Sequence, residues 1–255
     1  MSEAVRIPFL VPDWPAAPQV RAAFTLRGGG VSLAPCDTLN LGAHTGDDPQ
    51  AVLENRRRIA TALGLPSEPC WLQQVHGTQV LEISSPGTAE GSAVPPTADA
   101  ALTRRPGRVP VVLVADCLAV LLSDAAGTVV AVAHAGWRGL AGGVLAATVD
   151  RMGVAPPELL AWISPGISQA HYEVGKDVRA AMLAADEALE GAFRPNARGR
   201  WQCDLGAIAR ARLAALGVTR LYGGQGCTFA ERERFFSFRR DGRCGRMAAL
   251  IWLAG

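Results

Sequence analysis

The sequence predicts a mixed α/β (α+β) fold, one domain spanning residues 1–255. Three observations predict it. Apolar runs of strand length are interleaved with segments of helical apolar spacing along the whole chain. Gly, Pro and Asp stand at the joints, where turns and caps call for them. Hydrophobic residues make up 49% and charged residues 19%, enough apolar material for a sizeable core and far from a disordered composition.

The elements follow in order. Arg21–Leu26 alternates loosely and reads as a strand, ahead of the flexible run Gly28-Gly29-Gly30. Asp47-Asp48-Pro49 starts a helix, because Asp caps orphan amides and Pro fits the first turn. Gly64 stops that helix after Leu63 by taking the left-handed conformation. Trp71–Val75 and Thr78–Ile83 read as strands flanking His76-Gly77, and Ser84–Thr97 as a loop. Val111–Ala115, Leu118–Leu122 and Thr128–Ala133 are continuous apolar runs, the mark of buried strands. Gly142–Met152 reads as a helix and Leu159–Ile163 as a strand. Val174–Leu189 and Asp204–Leu216 have helical spacing, the second capped by Asp204 and stopped by Gly217. Thr219–Tyr222, Arg234–Phe238 and Met247–Leu253 close the chain as strands. The order of the strands is not readable at this level.

Composition narrows the function classes. With 25 basic and 23 acidic residues the net charge is +2, which does not suit a nucleic-acid binder. Arg alternates with Phe235, Phe236 and Phe238 in the run 232–246; on a strand this means one buried and one polar face. The longest apolar runs are broken by Asp116, Asp124 or Gly127, so no membrane span is expected. The six cysteines form no CxxC, and residues 1–14 lack the pattern of a signal peptide. Free thiols in the cytoplasm are the expectation. Gly28–Gly30 lacks the GxGxxG spacing and there is no Walker motif, which argues against a nucleotide-phosphate loop.

Only four histidines occur: His44, His76, His134 and His171. His76 and His134 each fall where a strand pattern meets glycine, and Cys117 interrupts two apolar runs beside Asp116. Such positions lie at loop mouths, where ligands approach. Two imidazoles and a thiolate make a catalytic zinc shell that leaves a fourth position open. The spacings of 41 and 17 residues are not those of a zinc finger, so the fold itself must bring the three together. Two other readings stand beside this one. Cys117 and one histidine would suffice as a nucleophile and base pair, and buried Cys or His is commonly structural. Gly136–Gly143, opening a helix after His134, offers either amides for an anion or a tight packing turn.

At these residues the chain resembles the YfiH-type, laccase-domain family. The motifs are Gln73-Gln74-Val75-His76-Gly77, Ala115-Asp116-Cys117 and His134-Ala135-Gly136-Trp137-Arg138-Gly139. Leu39-Asn40-Leu41-Gly42, Glu54-Asn55-Arg56, Tyr172-Glu173-Val174-Gly175 and Gly245-Arg246-Met247-Ala248 agree with it across nearly the whole chain. The resemblance implies β-sheets packed against helices, a fold likened to that of a necrotizing-factor deamidase. It implies zinc on His76, Cys117 and His134, with copper as the other metal such ligands accept. It implies phosphorolysis of adenosine, inosine, guanosine and 5′-methylthioadenosine, with adenosine deamination as a side activity. Older labels of the family are copper polyphenol oxidase and peptidoglycan editing factor, so the alternatives are a Cys–His hydrolase of peptidoglycan precursors or a copper-dependent polyphenol oxidase. The partners are then a small nucleoside and phosphate. Arg27, Arg56, Arg138 and Arg239 are candidates to hold phosphate by bidentate bonds, Gln74 and Asn40 to orient ribose or base, and Asp99 or Asp116 to shuttle a proton. Two departures stand out: His171 replaces an expected Cys, as a possible spare ligand, and Cys244 replaces a Thr.

Overall fold

The protein's structure, a computed structural model, describes residues 7–84 and 94–255. Two sheets stacked face to face form its centre. The larger runs β12 (Arg220–Gly223), β8 (Leu159–Ile163), β6 (Leu118–Asp124), β7 (Val130–Ala135), β4 (Ala100–Thr103), β3 (Val80–Glu82). The smaller runs β1 (Phe9–Leu10), β2 (Val20–Thr25), β13 (Met247–Leu253), β5 (Val111–Val114). Three short strands, β10 (Phe193–Pro195), β11 (Trp201–Cys203) and β9 (Glu173–Val174), make a third sheet. The α-helices are α1 (Pro49–Leu63), α2 (Trp137–Gly142), α3 (Val144–Met152), α4 (Lys176–Ala185), α5 (Leu205–Ala215) and α6 (Phe238–Asp241).

The two-residue period of a strand sorts the apolar side chains into separate cores. Leu118, Val120 and Leu122 on β6, with Ala131 and Ala133 on β7, pack against α3 and α5 through Val149, Met152, Ile208 and Leu213. Their neighbours Ala119, Leu121, Val130 and Val132 face the smaller sheet, meeting Val112, Val114, Ala249 and Ile251. The other face of that sheet, Val111, Leu113, Leu250 and Trp252, packs on Ile59 of α1. The layers are therefore helix, sheet, sheet, helix. Both faces of each central strand are covered, which explains why these strands read as unbroken apolar runs.

Several expectations are met closely. α1 starts at Pro49 with Asp48 accepting from Gln50 N, and ends at Gly64 with φ +59°. β8 and β13 have the expected bounds, and Asp204 caps α5 by accepting from Ala207 N. Others are corrected. Trp71–Val75 is not a strand; only isolated bridges join Cys70 to Pro110 and Gln73 to Thr97. Arg234–Phe238 is not a strand either. Phe235 and Phe236 are both fully buried, so no face alternates, and Phe238 opens the short α6. The helix expected over 142–152 is α3, which starts at Val144 because Gly143, at φ +94°, separates it from the preceding α2. Val174–Leu189 divides into β9, α4 and a 3-10 turn over Glu187–Ala192. β7 begins at Val130 rather than Thr128, since Asp124 ties the amides of Thr128 and Val129 into a turn. The loop expected over 84–97 falls largely outside the described residues. No described helix is long and apolar enough to cross a membrane.

Candidate metal centre

Strand register gathers the three sequence-distant ligands at one end of the six-stranded sheet. Ala119 of β6 pairs with His134 of β7, so Cys117, just before β6, lies beside His134. Ala100 of β4 pairs with Ala133, and β3 runs parallel to β4 from Val80, so the segment carrying His76 arrives at the same end. The ligand atoms of His76, Cys117 and His134 all lie within 4.8 Å of one another, a group that could hold a metal ion. The two imidazole rings meet edge to face, 4.7 Å between centroids. His134 is buried, Cys117 half-buried and His76 exposed, so the group opens to solvent on the His76 side.

Asp99, fully buried just before β4, positions two of the three ligands. Its Oδ1 accepts from His76 N at 2.9 Å and lies 2.8 Å from His134 Nδ1. Its Oδ2 accepts from Val75 N at 3.1 Å and Gly77 N at 2.7 Å. Burial pushes its carboxyl pKa up, but the bonds from His134, Gly77 and Val75 outweigh this and hold it below the usual range. A carboxylate at Nδ1 leaves Nε2 of His134 as the coordinating nitrogen, the usual outer support of a metal-bound histidine. The three backbone bonds also support His76 at φ +60°, a left-handed conformation that costs a non-glycine residue about 1–2 kcal/mol. Cys117 is set from the other side by Asp116, at φ +85°. That carboxylate accepts from Thr228 Oγ1 and from Arg239 N. Each oxygen of Asp99 accepts two bonds and each of Asp116 one, so Asp99 is committed to holding the site in place.

The donor set suits a soft or borderline divalent metal. Burial raises the Cys117 thiol pKa, yet hydrogen bonds from His134 and His76 bring it down to about 6. Burial lowers that of His134, and the bonds to Asp99 and Cys117 lift it to about 9. The thiol is thus a thiolate at neutral pH, the form that binds metal. Gly136 completes the cradle. A Cβ there would sit 2.9 Å from Cys117 Sγ, 3.0 Å from His76 Cδ2 and 3.5 Å from His134 Nε2.

The centre lies in a cleft of about 730 Å³. Of the residues expected to bind substrate, Arg56 and Gln74 line it. Gln74 spends its amide on Leu113, donating to the carbonyl and accepting from the N–H. Arg27, Asn40, Arg138 and Arg239 do not line it. Arg27 bonds Asp37 and the carbonyl of Arg232. Asn40 is buried and bonds Gly42, Thr45, Asp47 and Arg246 N. Arg138 lies exposed over Trp137, and Arg239 donates to Glu173 O above Tyr172. His171 is no spare ligand; its Nδ1 faces Ser168 Oγ and Cys227 Sγ, and its ring stacks on Phe229. Cleft residues that sequence reasoning missed are His44, Trp71, Phe238 and Arg246. Arg246 lies in the Gly245–Ala248 motif and His44 is one of only four histidines, but neither signal pointed to this cleft, because their place depends on the folded loops around them.

Fold and site together define a mixed α/β protein with a His–Cys–His metal-binding centre open to a cleft. The chain belongs to the family described as multi-copper polyphenol oxidoreductase laccase, whose model matches residues 21–254. It is 51% identical over 246 residues to a Pseudomonas aeruginosa protein named purine nucleoside phosphorylase, covering 96% of this chain and 98% of that one. It is 48% identical over 244 residues to Escherichia coli purine nucleoside phosphorylase YfiH, covering 96% and 98%. Among solved structures, a Neisseria meningitidis protein superposes with a TM-score of 0.91 at 46% identity, covering 97% of this chain and 99% of that one. YlmD from Geobacillus stearothermophilus superposes at 0.84 with 32% identity, covering 94% of each chain.

Proposed function

We propose that the protein is a zinc-dependent purine nucleoside phosphorylase acting on adenosine, inosine, guanosine and 5′-methylthioadenosine, with adenosine deamination as a side activity. The observation that carries it is a His–Cys–His group opening into a cleft large enough for a nucleoside. The names borne by relatives half identical to this chain support the same reaction. His76, Cys117 and His134 hold the metal, and when bound it supplies a Lewis acid. Phe238, 57% exposed at the cleft, offers an aromatic face to the purine. In the reaction the bond from C1′ to the purine nitrogen breaks, a bond from C1′ to a phosphate oxygen forms, and the proton that phosphate gives up ends on the purine nitrogen. The six free cysteines support a reducing, cytoplasmic setting. The same ligands would accept copper.

The test is chromatography of the products from adenosine and zinc-loaded protein, with and without phosphate. Phosphate-dependent release of adenine and a phosphorylated ribose is expected, and inosine without phosphate marks the side activity. Intact adenosine in both arms would refute the assignment. A second reading draws on the lowered thiol pKa of Cys117 beside His134: a metal-free Cys–His hydrolase of peptidoglycan precursors. A chelator would leave that activity intact and a thiol alkylator would abolish it.

A further inference from the structure

The cleft has a second polar wall, built from His44, Arg56 and Arg246. Arg56 comes from α1 and Arg246 from the segment leading into β13. Both guanidinium groups are anchored by neutral partners. Arg56 donates from Nε and Nη2 to Leu41 O, at 3.1 and 2.9 Å, and lies 3.8 Å over the Trp71 ring. Arg246 donates from Nη1 to the carbonyls of Cys244 and Gly245. Its stem passes over Gly42, where a Cβ would come within 2.8 Å of Arg246 Cγ. The backbone is therefore shaped to admit this side chain. Nη1 of Arg56 and Nη2 of Arg246 have no hydrogen-bond partner among the described residues.

The charges on this wall are not neutralised within it. No Asp or Glu lines the cleft among the described residues. Glu68, the carboxylate that acts on Arg56, is turned to Trp71 Nε1 at 2.6 Å. Partial desolvation by the protein around it, then the charges of Arg246 and Arg56, hold the His44 imidazole below its ordinary pKa range. His44 is thus a neutral ring with one N–H to give and one nitrogen to accept. Two fixed cationic forks and a neutral imidazole, in electrostatic reach of one another in a cleft whose described lining carries no carboxylate, suit an oxyanion.

We propose that His44, Arg56 and Arg246 form the subsite for inorganic phosphate, the co-substrate that an uncharged nucleoside needs for phosphorolysis. This rests on the phosphorylase reading for its purpose, though not for the binding itself. The two guanidinium groups donate to phosphate oxygens. His44 donates to a third oxygen or accepts from the proton of the monoanion.

The experiment is calorimetric titration of zinc-loaded protein with inorganic phosphate and, separately, with adenosine 5′-monophosphate, alongside the phosphate dependence of nucleoside cleavage. Variants are His44→Ala, Arg56→Gln and Arg246→Gln. His44 is exposed and makes no hydrogen bond among the described residues, so its variant stays informative should an arginine variant not fold. Wild type should bind phosphate. Phosphate Kd and KM should rise roughly tenfold in His44→Ala and more in the arginine variants, in line with bonds to a charged group, while zinc content is unchanged. Unchanged phosphate Kd and KM in His44→Ala and the folded arginine variants would overturn the subsite and leave the phosphorylase reading standing. Phosphate binding lost in the variants of a protein that cleaves no nucleoside would keep the subsite and sink that reading. Tighter binding of the monophosphate than of phosphate, lost in the same variants, would overturn the assignment to the free co-substrate.

Discussion

Asp99→Asn separates the metal ligands from their support without changing the size of the side chain. The carboxylate has two donors on each oxygen: His76 N and His134 Nδ1 on one, Val75 N and Gly77 N on the other. An amide has one oxygen, so its NH2 must face one of these pairs. Turned to His134, it forces that ring to accept at Nδ1 and carry its proton on Nε2, which removes a metal ligand. Turned to the 75–77 segment, it opposes the N–H groups of Val75 and Gly77 and leaves the left-handed His76 with one of its three backbone supports. Either orientation loses two charge-assisted bonds of about 1.5–3 kcal/mol each, of which relaxation recovers part. We expect roughly 3 kcal/mol of lost stability, a fall in Tm of roughly 6–12 °C for a chain of this size. Zinc affinity should fall about 10–100-fold, the usual effect of removing an outer-shell partner. Calorimetric melting and zinc competition against a chromophoric chelator measure both. Zinc affinity within threefold of wild type would refute the role given to Asp99.

Other consequences follow from the same geometry. Gly136→Ala should fold normally, since φ −71° and ψ 166° suit alanine, yet lose most of its zinc because the new Cβ crowds Cys117 and His76; metal analysis of the purified variant decides. In the metal-free protein Cys117 is a thiolate above about pH 6 and His134 stays protonated up to about pH 9. Metal binding between these values displaces one proton, so apparent zinc affinity should climb about tenfold per pH unit and flatten above pH 9. A flat profile from pH 6 to 9 would contradict this. Burial pushes the thiols of Cys70, Cys203 and Cys244 up to about 11, 12 and 11, and raises that of Cys36. Those four cysteines are buried, whereas Cys227 and Cys117 are half-buried; at pH 8 an alkylating reagent should label Cys227, and Cys117 only after zinc removal, as peptide mass spectrometry would show.

Much of this structure was legible where local chemistry decides it. α1 lies between Asp48-Pro49 and Gly64 because a cap and a left-handed stop are local devices. β8 and β13 were found because both faces of each are buried. Trp71–Val75 was misread because its apolar residues pack without a ladder partner, Gln74 replacing backbone pairing with its own side chain. The adjacent buried pair Phe235 and Phe236 shows the same limit, since consecutive apolar residues do not reveal whether they sit on a strand. The candidate metal ligands were legible from the scarcity of histidine and the motifs around them. Their meeting depends on the pairing of β6, β7 and β4, which no local pattern encodes. The meeting of His44 and Arg246 was hidden for the same reason: loops 202 residues apart in sequence place them in one cleft.

The central claim is that one metal on His76, Cys117 and His134 carries the activity. Its most direct test is to titrate zinc into metal-free protein while following phosphate-dependent adenine release. Activity should rise linearly and stop at one equivalent, and Cys117→Ser should neither retain zinc nor recover activity. Full activity without metal, or undiminished activity in Cys117→Ser, would contradict the account.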